Sequence, residues 1–580
     1  MKKVNGKKAA ALFMSAVCAF SFTACGNGKN NDASPAAKTE TSEADLSNPY
    51  GYENPITLKV GLAFNSDFGW AGDESAEQNT WTDLYKENGM NLDIMYNVDG
   101  SQQDTKRTTA IASGNYPDIM SVSGADLVKY AQTGVIADIT DAYEQYATDQ
   151  LKEYETLGGK DYLPSAMVDG KLYGVPQVTD YRGDAMMMFI RQDWLDSLNL
   201  EIPTTMEELK EVALAFTTQD PDGNGQDDTY GLALNGKEGF NFWSGVQAFF
   251  EGYGAAPGYW NGQFSFIEKD GEVVWGGALA DEMKAALTDL QEMYQNGSLA
   301  KNFGTMDYNQ ITQDVGAGKC GIYFAPRWGA MVPVVDATKN DPDCRIVSAK
   351  IPDGFGEGSS KPYIPSTPGT YYVVSSKCAN PEALIKLCNL SVQKLCNYES
   401  AEEYDKYTGK AGEYSGWKAA LVQLTSQTEA IDSIANEHEA VTTGNTDVLT
   451  TESEKVNVKN MEIYKAAVED GTLIDKLNAG DENVQAGIGM WTVDGDELGG
   501  GITMVELMEE NNYNYCAYGY IPTETMSSKF STLDKMALET IVKIITGESV
   551  DSYDTFLESW KALGGEAVTQ EAQEWYDANH

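Results

Sequence analysis

Oxygen-bearing side chains recur in the segment Asp220-Pro221-Asp222-Gly223-Asn224-Gly225-Gln226-Asp227-Asp228. Side-chain oxygens stand at positions 1, 3, 5 and 9, position 7 offers its backbone carbonyl, and position 6 is glycine. This pattern suits a hard cation of the size of Ca²⁺. The candidate ligands of a structural calcium ion are Asp220, Asp222, Asn224, Gln226 and Asp228. Position 12 is Gly231, where an EF-hand has Glu, and the alternative is an acidic Asx-turn without metal.

A second polar segment lies between two apolar runs in the stretch Asp169–Leu195. The runs 172–175 and 185–190 have the length and composition of buried strands. The residues between them include Asp180, Tyr181 and Arg182, which can hydrogen-bond or stack on a ligand. The segment is either an ordinary strand–loop–strand connection or a crossover between two lobes.

Aromatic side chains are dense between 240 and 260, where Trp243 and Trp260 stand. Aromatic rings suit carbohydrate because the C–H faces of a pyranose stack on them. Most aromatic residues of any protein are nevertheless core residues. Trp70, in the polar segment after the first predicted strand, joins these two as a candidate ligand contact.

The overall charge and the scarcity of histidine exclude several functions. The 580 residues carry 88 acidic and 41 basic side chains, a net charge of −47, which repels nucleic acid. Only two histidines are present, which argues against a zinc site built on histidine or a Ser-His-Asp triad. Catalysis by a pair of carboxylates stays open, and with it a surface glycoside hydrolase.

The N-terminus has the pattern of an export signal. Four lysines between residues 2 and 8 precede an apolar run from Ala9 to Phe22, too short to span a bilayer permanently. The sequence Phe22-Thr23-Ala24-Cys25 resembles a bacterial lipobox, which implies that Cys25 is lipidated and anchors the chain to a membrane. An ordinary cleaved secretory signal is the alternative. The composition of residues 25–54 predicts a flexible tether.

Strands and helices alternate after residue 55, which argues for an α/β sheet. Pro117-Asp118-Ile119-Met120, followed by the segment 129–140, resembles the first lobe of family 1 extracellular solute-binding proteins. The resemblance implies a two-lobed, periplasmic-binding-protein-like fold of type II, with lobes joined by hinge crossovers. It also implies ligand contacts from Ser121, Ser123 and Asp126, although Asp126 can instead serve only to cap the following helix.

Other segments are similar to the same family. DGKLYGVP at 169–176 resembles the first lobe-to-lobe crossing, and 318–330 resembles a strand that returns to the first lobe with Arg327 and Trp328 at the cleft. A strand at 371–375, with Tyr371 as a ligand contact, would then cross to the second lobe. The segment 220–228 resembles the calcium loop of alginate- and aldouronate-type binders.

These features predict a domain organisation. The signal peptide is expected at 1–24, the first lobe at 55–180 and 316–370, and the second lobe at 185–315 and 371–545. Residues 546–580 are expected to form a helical segment packed on the lobes.

The resemblance implies a monomeric, lipid-anchored receptor on the outer face of the membrane, without enzymatic activity. Its ligand would be an oligosaccharide, and its partners the permease subunits of an ABC importer. A glycoside hydrolase and a structural or adhesion lipoprotein are the alternatives. No motif singles out a catalytic pair of carboxylates.

Overall fold

A computed structural model describes residues 47–64, 68–237, 239–240, 244–260, 263–398, 400–409, 416–427, 429–519 and 521–579. Nine strands of these residues form two larger sheets. In chain order they are β1 (Ile56–Ala63), β2 (Met90–Val98), β3 (Ile119–Val122), β4 (Val175–Gln177), β5 (Met187–Arg191), β6 (Tyr230–Leu232), β7 (Cys320–Ala325), β8 (Ile346–Ala349) and β9 (Thr370–Val374).

The first sheet has the order β2-β1-β3-β9-β4 and the second has the order β6-β7-β5-β8. In the first, β1, β2 and β3 are parallel, while β9 runs antiparallel to both β3 and β4. In the second, β6 and β7 are parallel and β5 runs antiparallel to β7 and β8. Each sheet belongs to its own hydrophobic core. The described chain is therefore an α/β fold with two lobes.

Helices cover both sheets. Those in the first core are Thr80–Glu87, Gln103–Ser113, Gly124–Gln132, Thr140–Tyr146, Asp149–Tyr154, Ala383–Leu395 and Ala401–Thr408. Those on the second sheet and beyond it are Gln192–Leu198, Met206–Thr218, Gln247–Glu251, Ala280–Asn296, Tyr308–Gly316, Pro333–Asn340, Glu429–Thr443, Glu452–Glu469, Leu473–Ala479, Glu482–Met490, Gly500–Glu510, Glu524–Ile545, Ser552–Trp560 and Glu566–Asn579.

Local sequence explains why these elements start where they do. Met206–Thr218 begins with a capping box, in which Thr205 and Glu208 satisfy each other's backbone N–H groups. Strand β5 is buried along its whole length because helices or loops cover both of its faces. Its continuous apolar sequence, without alternation, is what such a strand requires.

Two crossings join the lobes. Residues 178–186 connect the end of β4 in the first sheet to the start of β5 in the second. Residues 350–369 return from the end of β8 to the start of β9. Because β9 and β5 run antiparallel to their neighbours, both crossings connect the edges at which the other strands of each sheet have their carboxyl ends. The stretch 169–195 is thus a crossover between lobes, as the sequence predicts.

The predicted lobe membership of the later strands differs from the observed pairing. Strands β7 and β8, in the segment 316–370 expected in the first lobe, pair with β5 in the second sheet. Strand β9, expected to cross into the second lobe, pairs with β3 and β4 in the first. Residues 318–330 therefore do not return to the first lobe. The chain re-enters the second core only after Leu424, by way of Ile434.

The ends of the folded region also differ in part from expectation. Lys386 donates through Nζ to the carbonyl oxygens of Asn48 (2.5 Å) and Gly51 (2.8 Å). Asn48 and Gly51 therefore belong to the folded region, although the tether was expected to extend to residue 54. At the other terminus, Trp560 stacks on Trp275 with ring centroids 4.3 Å apart, so the C-terminal helices pack on the second lobe.

Candidate functional site

A cavity of about 700 Å³ lies at the carboxyl edge of the first sheet. In open α/β sheets this edge is where ligands bind. The described residues that line it come from β1 and the segment after it, the segment after β2, the ends of β3 and β4, the start of β9 and the segment 416–423. They are Gly61, Leu62, Ala63, Phe64, Phe68, Gly69, Gly100, Gln103, Ser121, Gln177, Thr370, Tyr372, Trp417, Lys418, Ala419, Ala420, Leu421 and Gln423.

One wall of this cavity is aromatic. Phe64 and Phe68 both line it and lie 5.1 Å apart, and Trp70 stands edge-on to them at 4.9 and 4.6 Å between ring centroids. Trp70, predicted as a ligand contact, thus supports two lining rings. Trp417 adds a half-buried indole from a distant part of the sequence. Such surfaces can bind the apolar face of a sugar ring.

The other wall carries hydroxyls and amides. The Tyr372 hydroxyl accepts a hydrogen bond from the backbone N–H of Gln423 (2.9 Å), and burial raises the pKa of this phenol. Gln177 donates through Nε2 to the carbonyl of Gln423 (2.7 Å). Ser121, a predicted contact, lines the cavity beside Gln103. These groups offer both donors and acceptors to sugar hydroxyls.

Two predicted site residues next to the cavity have other surroundings. Ser123 is the N-cap of Gly124–Gln132, where its hydroxyl accepts from the backbone N–H of Asp126 (3.3 Å). Asp126 forms an ion pair with Arg107 (3.0 Å), and Arg107 in turn donates to the carbonyl of Ser121 (2.6 Å). Both residues therefore shape the segment next to the cavity without lining it.

Tyr371 was expected at the ligand but is completely buried in the first core, where it pairs with Val122. Side chains alternate along a strand, so its neighbour Tyr372 lies on the opposite face, where it lines the cavity although it is only 4% exposed. The correction is a shift of one residue. Both positions are tyrosine, so residue type offered no means of choosing between them.

The first crossing forms part of a second cavity, of about 450 Å³. Asp180 accepts from Arg182 Nε (2.9 Å) and Nη2 (2.6 Å), and its side chain is only 5% exposed. Tyr181 lines the same cavity and packs against the second core. Residues 364–367 of the second crossing also line it. The predicted segment 180–182 therefore lines a cavity to which both crossings contribute.

Arg327 and Trp328 follow β7 at the carboxyl edge of the second sheet. The Arg327 guanidinium lies over the Trp328 ring (5.0 Å) and donates to the carbonyl of Gly183 in the first crossing (2.9 Å). It also approaches Asp184 at 3.6 Å. Both predicted residues therefore stand where the second lobe meets the first crossing.

Behind Arg327 lies a pair of buried carboxyl groups, Glu437 and Asp494, with 1% and 3% exposure. Burial raises the pKa of both, and Asp494 raises that of Glu437 further. Glu437 accepts from Asn457 (2.9 Å), and His438 Nδ1 lies 2.8 Å from the Asp494 carbonyl. Sealed from solvent, this pair has no access to a glycosidic bond.

The buried pair predicts a specific dependence of stability on pH. Because both folded-state pKa values are raised, this pair destabilises the folded protein increasingly as pH rises above about 4, where such groups ionise in the unfolded chain. Glu437→Gln replaces one acid by a neutral donor. It should raise the free energy of unfolding at pH 8 by about 1–2 kcal/mol, with little difference at pH 4. Urea denaturation at both pH values checks this.

Asp432→Asn, an exposed change on the same helix, is the control and should have no such pH signature. A Glu437→Gln protein that is equally destabilised at both pH values would contradict the raised pKa values of the pair.

The loop 220–228 draws several of the predicted calcium ligands together. Asn224 Nδ2 lies 2.7 Å from Asp222 Oδ2 and 3.2 Å from Asp228 Oδ1, and Asp220 accepts from the backbone N–H of Gly225 (3.0 Å). Burial raises the pKa of Asp222, and the charges of Asp228 and Asp220 add to that rise. Within the described residues, no group of three or more His, Cys, Asp or Glu side chains is arranged to hold a metal ion. The donor types still fit a hard cation.

Packing explains why position 12 of the loop is glycine. Gly231 lies in β6, and a Cβ there would be 2.3 Å from the carbonyl oxygen of Ala213. The helix Met206–Thr218 thus approaches too closely for the glutamate of an EF-hand. We predict that Gly231→Glu destabilises the protein by about 1–3 kcal/mol through overpacking, without raising calcium affinity. Thermal melts with and without calcium measure this, and tighter calcium binding at unchanged stability would refute it.

Several predicted features lie outside the described residues. These are the signal segment, Cys25, most of the tether, Trp243 and the side chain of Trp260, whose backbone is in the short strand Tyr259–Trp260. The described cysteines Cys320, Cys344, Cys378, Cys388, Cys396 and Cys516 are free thiols. Among the described helices, none combines the length and apolarity needed to cross a bilayer.

Sequence reasoning missed the most prominent polar and aromatic groups of the first-lobe cavity: Gln177, Tyr372, Trp417 and Gln423. Gln177 was detectable, because it follows directly on a predicted strand and so stands at the carboxyl edge. Trp417 and Gln423 carried no local signal. They reach the site from a part of the sequence distant from the other lining residues, which only the tertiary structure shows.

Comparison with known proteins places this fold in a family. The model of the bacterial extracellular solute-binding protein family matches residues 71–406, more than half of the chain. The chain therefore belongs to that family, as its motifs predict.

Individual relatives and structures agree with this assignment. The polygalacturonan/rhamnogalacturonan-binding protein of Bacillus subtilis is 29% identical over 250 residues, 42% of this chain and 45% of that protein. A fructooligosaccharide ABC transporter substrate-binding protein of Streptococcus pneumoniae is 28% identical over 323 residues, 52% of this chain and 54% of its own. This chain thus spans about half the length of these relatives.

Solved structures show the same fold. An extracellular solute-binding protein from Bifidobacterium longum subsp. infantis superimposes with a TM-score of 0.61 at 17% identity, covering 90% of this chain and 98% of that one. An alginate-binding protein solved without calcium gives 0.59 at 17% identity, covering 91% and 99%. The predicted type II, two-lobed fold is confirmed.

Proposed function

We propose that this protein captures an oligosaccharide between its lobes and delivers it to the permease of an ABC importer. One observation carries the proposal: an aromatic and amide-lined cavity lies at the carboxyl edge of the first sheet, and both crossings leave from such edges. The names of the two relatives, one a polygalacturonan/rhamnogalacturonan-binding protein and the other a fructooligosaccharide ABC transporter substrate-binding protein, support a carbohydrate ligand.

Closure of the lobes would couple binding to transport. A ligand that contacts both lobes favours the closed conformation by the difference in its affinity for the two forms. Residues 178–186 and 350–369 are the segments that would absorb the change in backbone angles. Arg327, which binds the carbonyl of Gly183, ties the second lobe to the first of these segments.

Intact capture distinguishes a receptor from a glycoside hydrolase. The protein is incubated with mixed oligosaccharides, and its melting temperature and the size of the recovered sugars are measured. A receptor gives a higher melting temperature and sugars of unchanged length. Shortened products would refute the proposal and favour the hydrolase.

We also propose that the loop 220–228 holds a structural calcium ion. Its ligands would be side chains of Asp220, Asp222, Asn224 and Asp228 and the backbone carbonyl of Gln226, so the ion would neutralise carboxylates that now face each other. The similar alginate-binding protein, solved explicitly without calcium, supports this assignment.

Removal of calcium is expected to destabilise the protein. At a calcium concentration 100 times the Kd, binding contributes about 2.7 kcal/mol, which a chelator would abolish. Calorimetry of calcium-loaded protein before and after EGTA measures the shift, and Asp228→Asn should reduce it. An unchanged melting temperature in calcium-replete protein would exclude the site.

The proposed location is the outer face of the cell membrane, with Cys25 carrying the lipid. The proposal rests on the lipobox-like sequence and on membership of an extracellular family. The folded region would act as a monomer, joined to the lipid by the tether 25–54. Labelling of cells with a radioactive fatty acid tests the anchor, and Cys25→Ala should release the protein into the medium.

A further inference from the structure

The Arg327 guanidinium lies between carboxyl groups from two parts of the molecule. On one side it donates to the carbonyl oxygen of Gly183 in the first crossing (2.9 Å) and lies 3.6 Å from Asp184. On the other side it attracts the carboxyl group of Asp494, in the segment Trp491–Gly495. The Arg327 side chain is only 20% exposed, so solvent screens neither attraction fully. The two carboxyl groups therefore compete for one cation.

Asp494 and Glu437 form a buried acid pair. Their carboxyl groups hydrogen-bond to each other, which is possible only while one of them is protonated. Glu437 Oε2 and Asp494 Oδ1 are buried oxygens that no other donor of the described residues reaches. A proton between the two groups satisfies both oxygens. The charge of the buried acid pair therefore depends on pH.

Few other charged groups face the buried acid pair. His438 acts on Asp494 from the same helix as Glu437, and Glu454 acts on Glu437 from the helix Glu452–Glu469. Glu454 already accepts from the N–H groups that its own helix cap presents. On the other described elements packed against the pair, the acids are exposed or paired elsewhere: Glu482, Glu506, Glu509 and Glu510 are exposed, and Asp496 pairs with Arg345. Arg327 is thus the permanent cation that faces the pair in the described structure.

The helix Gly500–Glu510 packs against both the buried acid pair and the first crossing. A Cβ at Gly501 would lie 2.6 Å from Asp494 Oδ1, so the helix begins directly on this carboxyl group. The positive end of the helix dipole stabilises a negative charge there. About one turn later, the Met504 Sδ atom lies 3.7 Å from the position that a Cβ of Gly183 would take. A new charge at Asp494 therefore arises within about one helical turn of the first crossing.

We propose that the buried acid pair is a pH-sensitive switch that acts on the first crossing. While Asp494 is protonated, Arg327 stays with the Gly183 carbonyl and Asp184, and the second lobe is held to the crossing. When Asp494 ionises, its carboxylate draws Arg327 away, and this contact weakens. The switch needs no bound sugar, so it does not depend on the proposed ligand.

Protonation of Asp494 favours the contact between Arg327 and the crossing. Burial raises the pKa of Asp494 to about 6, and the hydrogen bond from Glu437 and the charge of Arg327 limit the rise. Burial raises the pKa of Glu437 well above its usual range, so Asp494 is the first of the two to ionise. Arg327 lowers the pKa of Asp494 most when it lies close to it, so the protonated form prefers Arg327 at the crossing. A difference of one pKa unit between the two arrangements changes their ratio about 10-fold.

Hydrogen exchange of the ligand-free protein, measured by mass spectrometry on peptides that cover 178–186, tests the switch at pH 5 and pH 8. After correction for the pH dependence of intrinsic exchange, we expect protection of these amides to be about 10-fold lower at pH 8. Asp432→Asn, an exposed change on the helix of Glu437, is the control and should behave like the original protein. Equal protection at both pH values, or greater protection at pH 8, would overturn the inference.

Two variants should fix the switch in opposite states. Asp494→Asn removes the competing charge and should keep the crossing protected at both pH values. In Glu437→Gln the new amide donates to Asp494 and keeps it ionised, so protection should be low at both. Asp184→Asn removes the other acid near Arg327 and should retain the dependence on pH. A dependence that persists in Asp494→Asn, or that disappears only in Asp184→Asn, would contradict the role of the buried acid pair.

Discussion

Replacing Trp417 with alanine is expected to weaken oligosaccharide binding about 30-fold, or about 2 kcal/mol. The indole is the largest ring on the cavity wall contributed by the segment 416–423, and stacking on it would be lost without a replacement. Calorimetric titration with whichever oligosaccharide raises the melting temperature measures the change.

The indole also packs partly against the first core, so folding needs its own control. Trp417→Phe keeps a ring at the same place and should retain most of the affinity. Circular dichroism of both variants checks that the lobe is intact. Equal affinity of the alanine variant and the original protein would remove Trp417 from the binding site.

Asp180→Ala is the second large expected effect. It leaves the Arg182 guanidinium without its bidentate partner at a position where the Asp180 side chain is only 5% exposed. Loss of one member of a buried pair costs about 3–5 kcal/mol, and the partial exposure of Arg182 lowers this to about 2 kcal/mol. We also expect ligand affinity to fall about 10-fold, because the crossing is less ordered in the closed form.

The loss of stability in Asp180→Ala should come from the position of Asp180 in the first crossing, so removal of an acidic group elsewhere should not reproduce it. Asp554→Asn, which removes an exposed partner of Lys284, should alter the free energy of unfolding by less than about 0.5 kcal/mol. If Asp180→Ala unfolds one lobe while affinity per folded molecule is unchanged, the pair is scaffold only.

The first crossing could be predicted from sequence because its signal is local. Two apolar runs flank Asp180, Tyr181 and Arg182, and burial on both sides forces the polar residues into the connection. The calcium-like loop is equally local, since its donors lie within nine residues. The first segment connects the two sheets, and the second is a loop in which Asn224 lies close to Asp222 and Asp228.

The second crossing could not be predicted in the same way. The strands Cys320–Ala325 and Thr370–Val374 would be buried in whichever lobe they joined. Their apolar composition therefore indicates burial but does not indicate which strand each of them pairs with. Their antiparallel partners are more than 100 residues away in the sequence, and pairing decides which sheet they join. The same limit explains the exchange of Tyr371 for Tyr372 and the omission of Trp417.

Small-angle X-ray scattering with and without a saturating oligosaccharide tests the central claim most directly. Binding between the lobes predicts a smaller radius of gyration in the bound protein, at one ligand per chain, because closure brings the two sheets together. A radius that stays constant while the ligand is fully bound would contradict a site between the lobes.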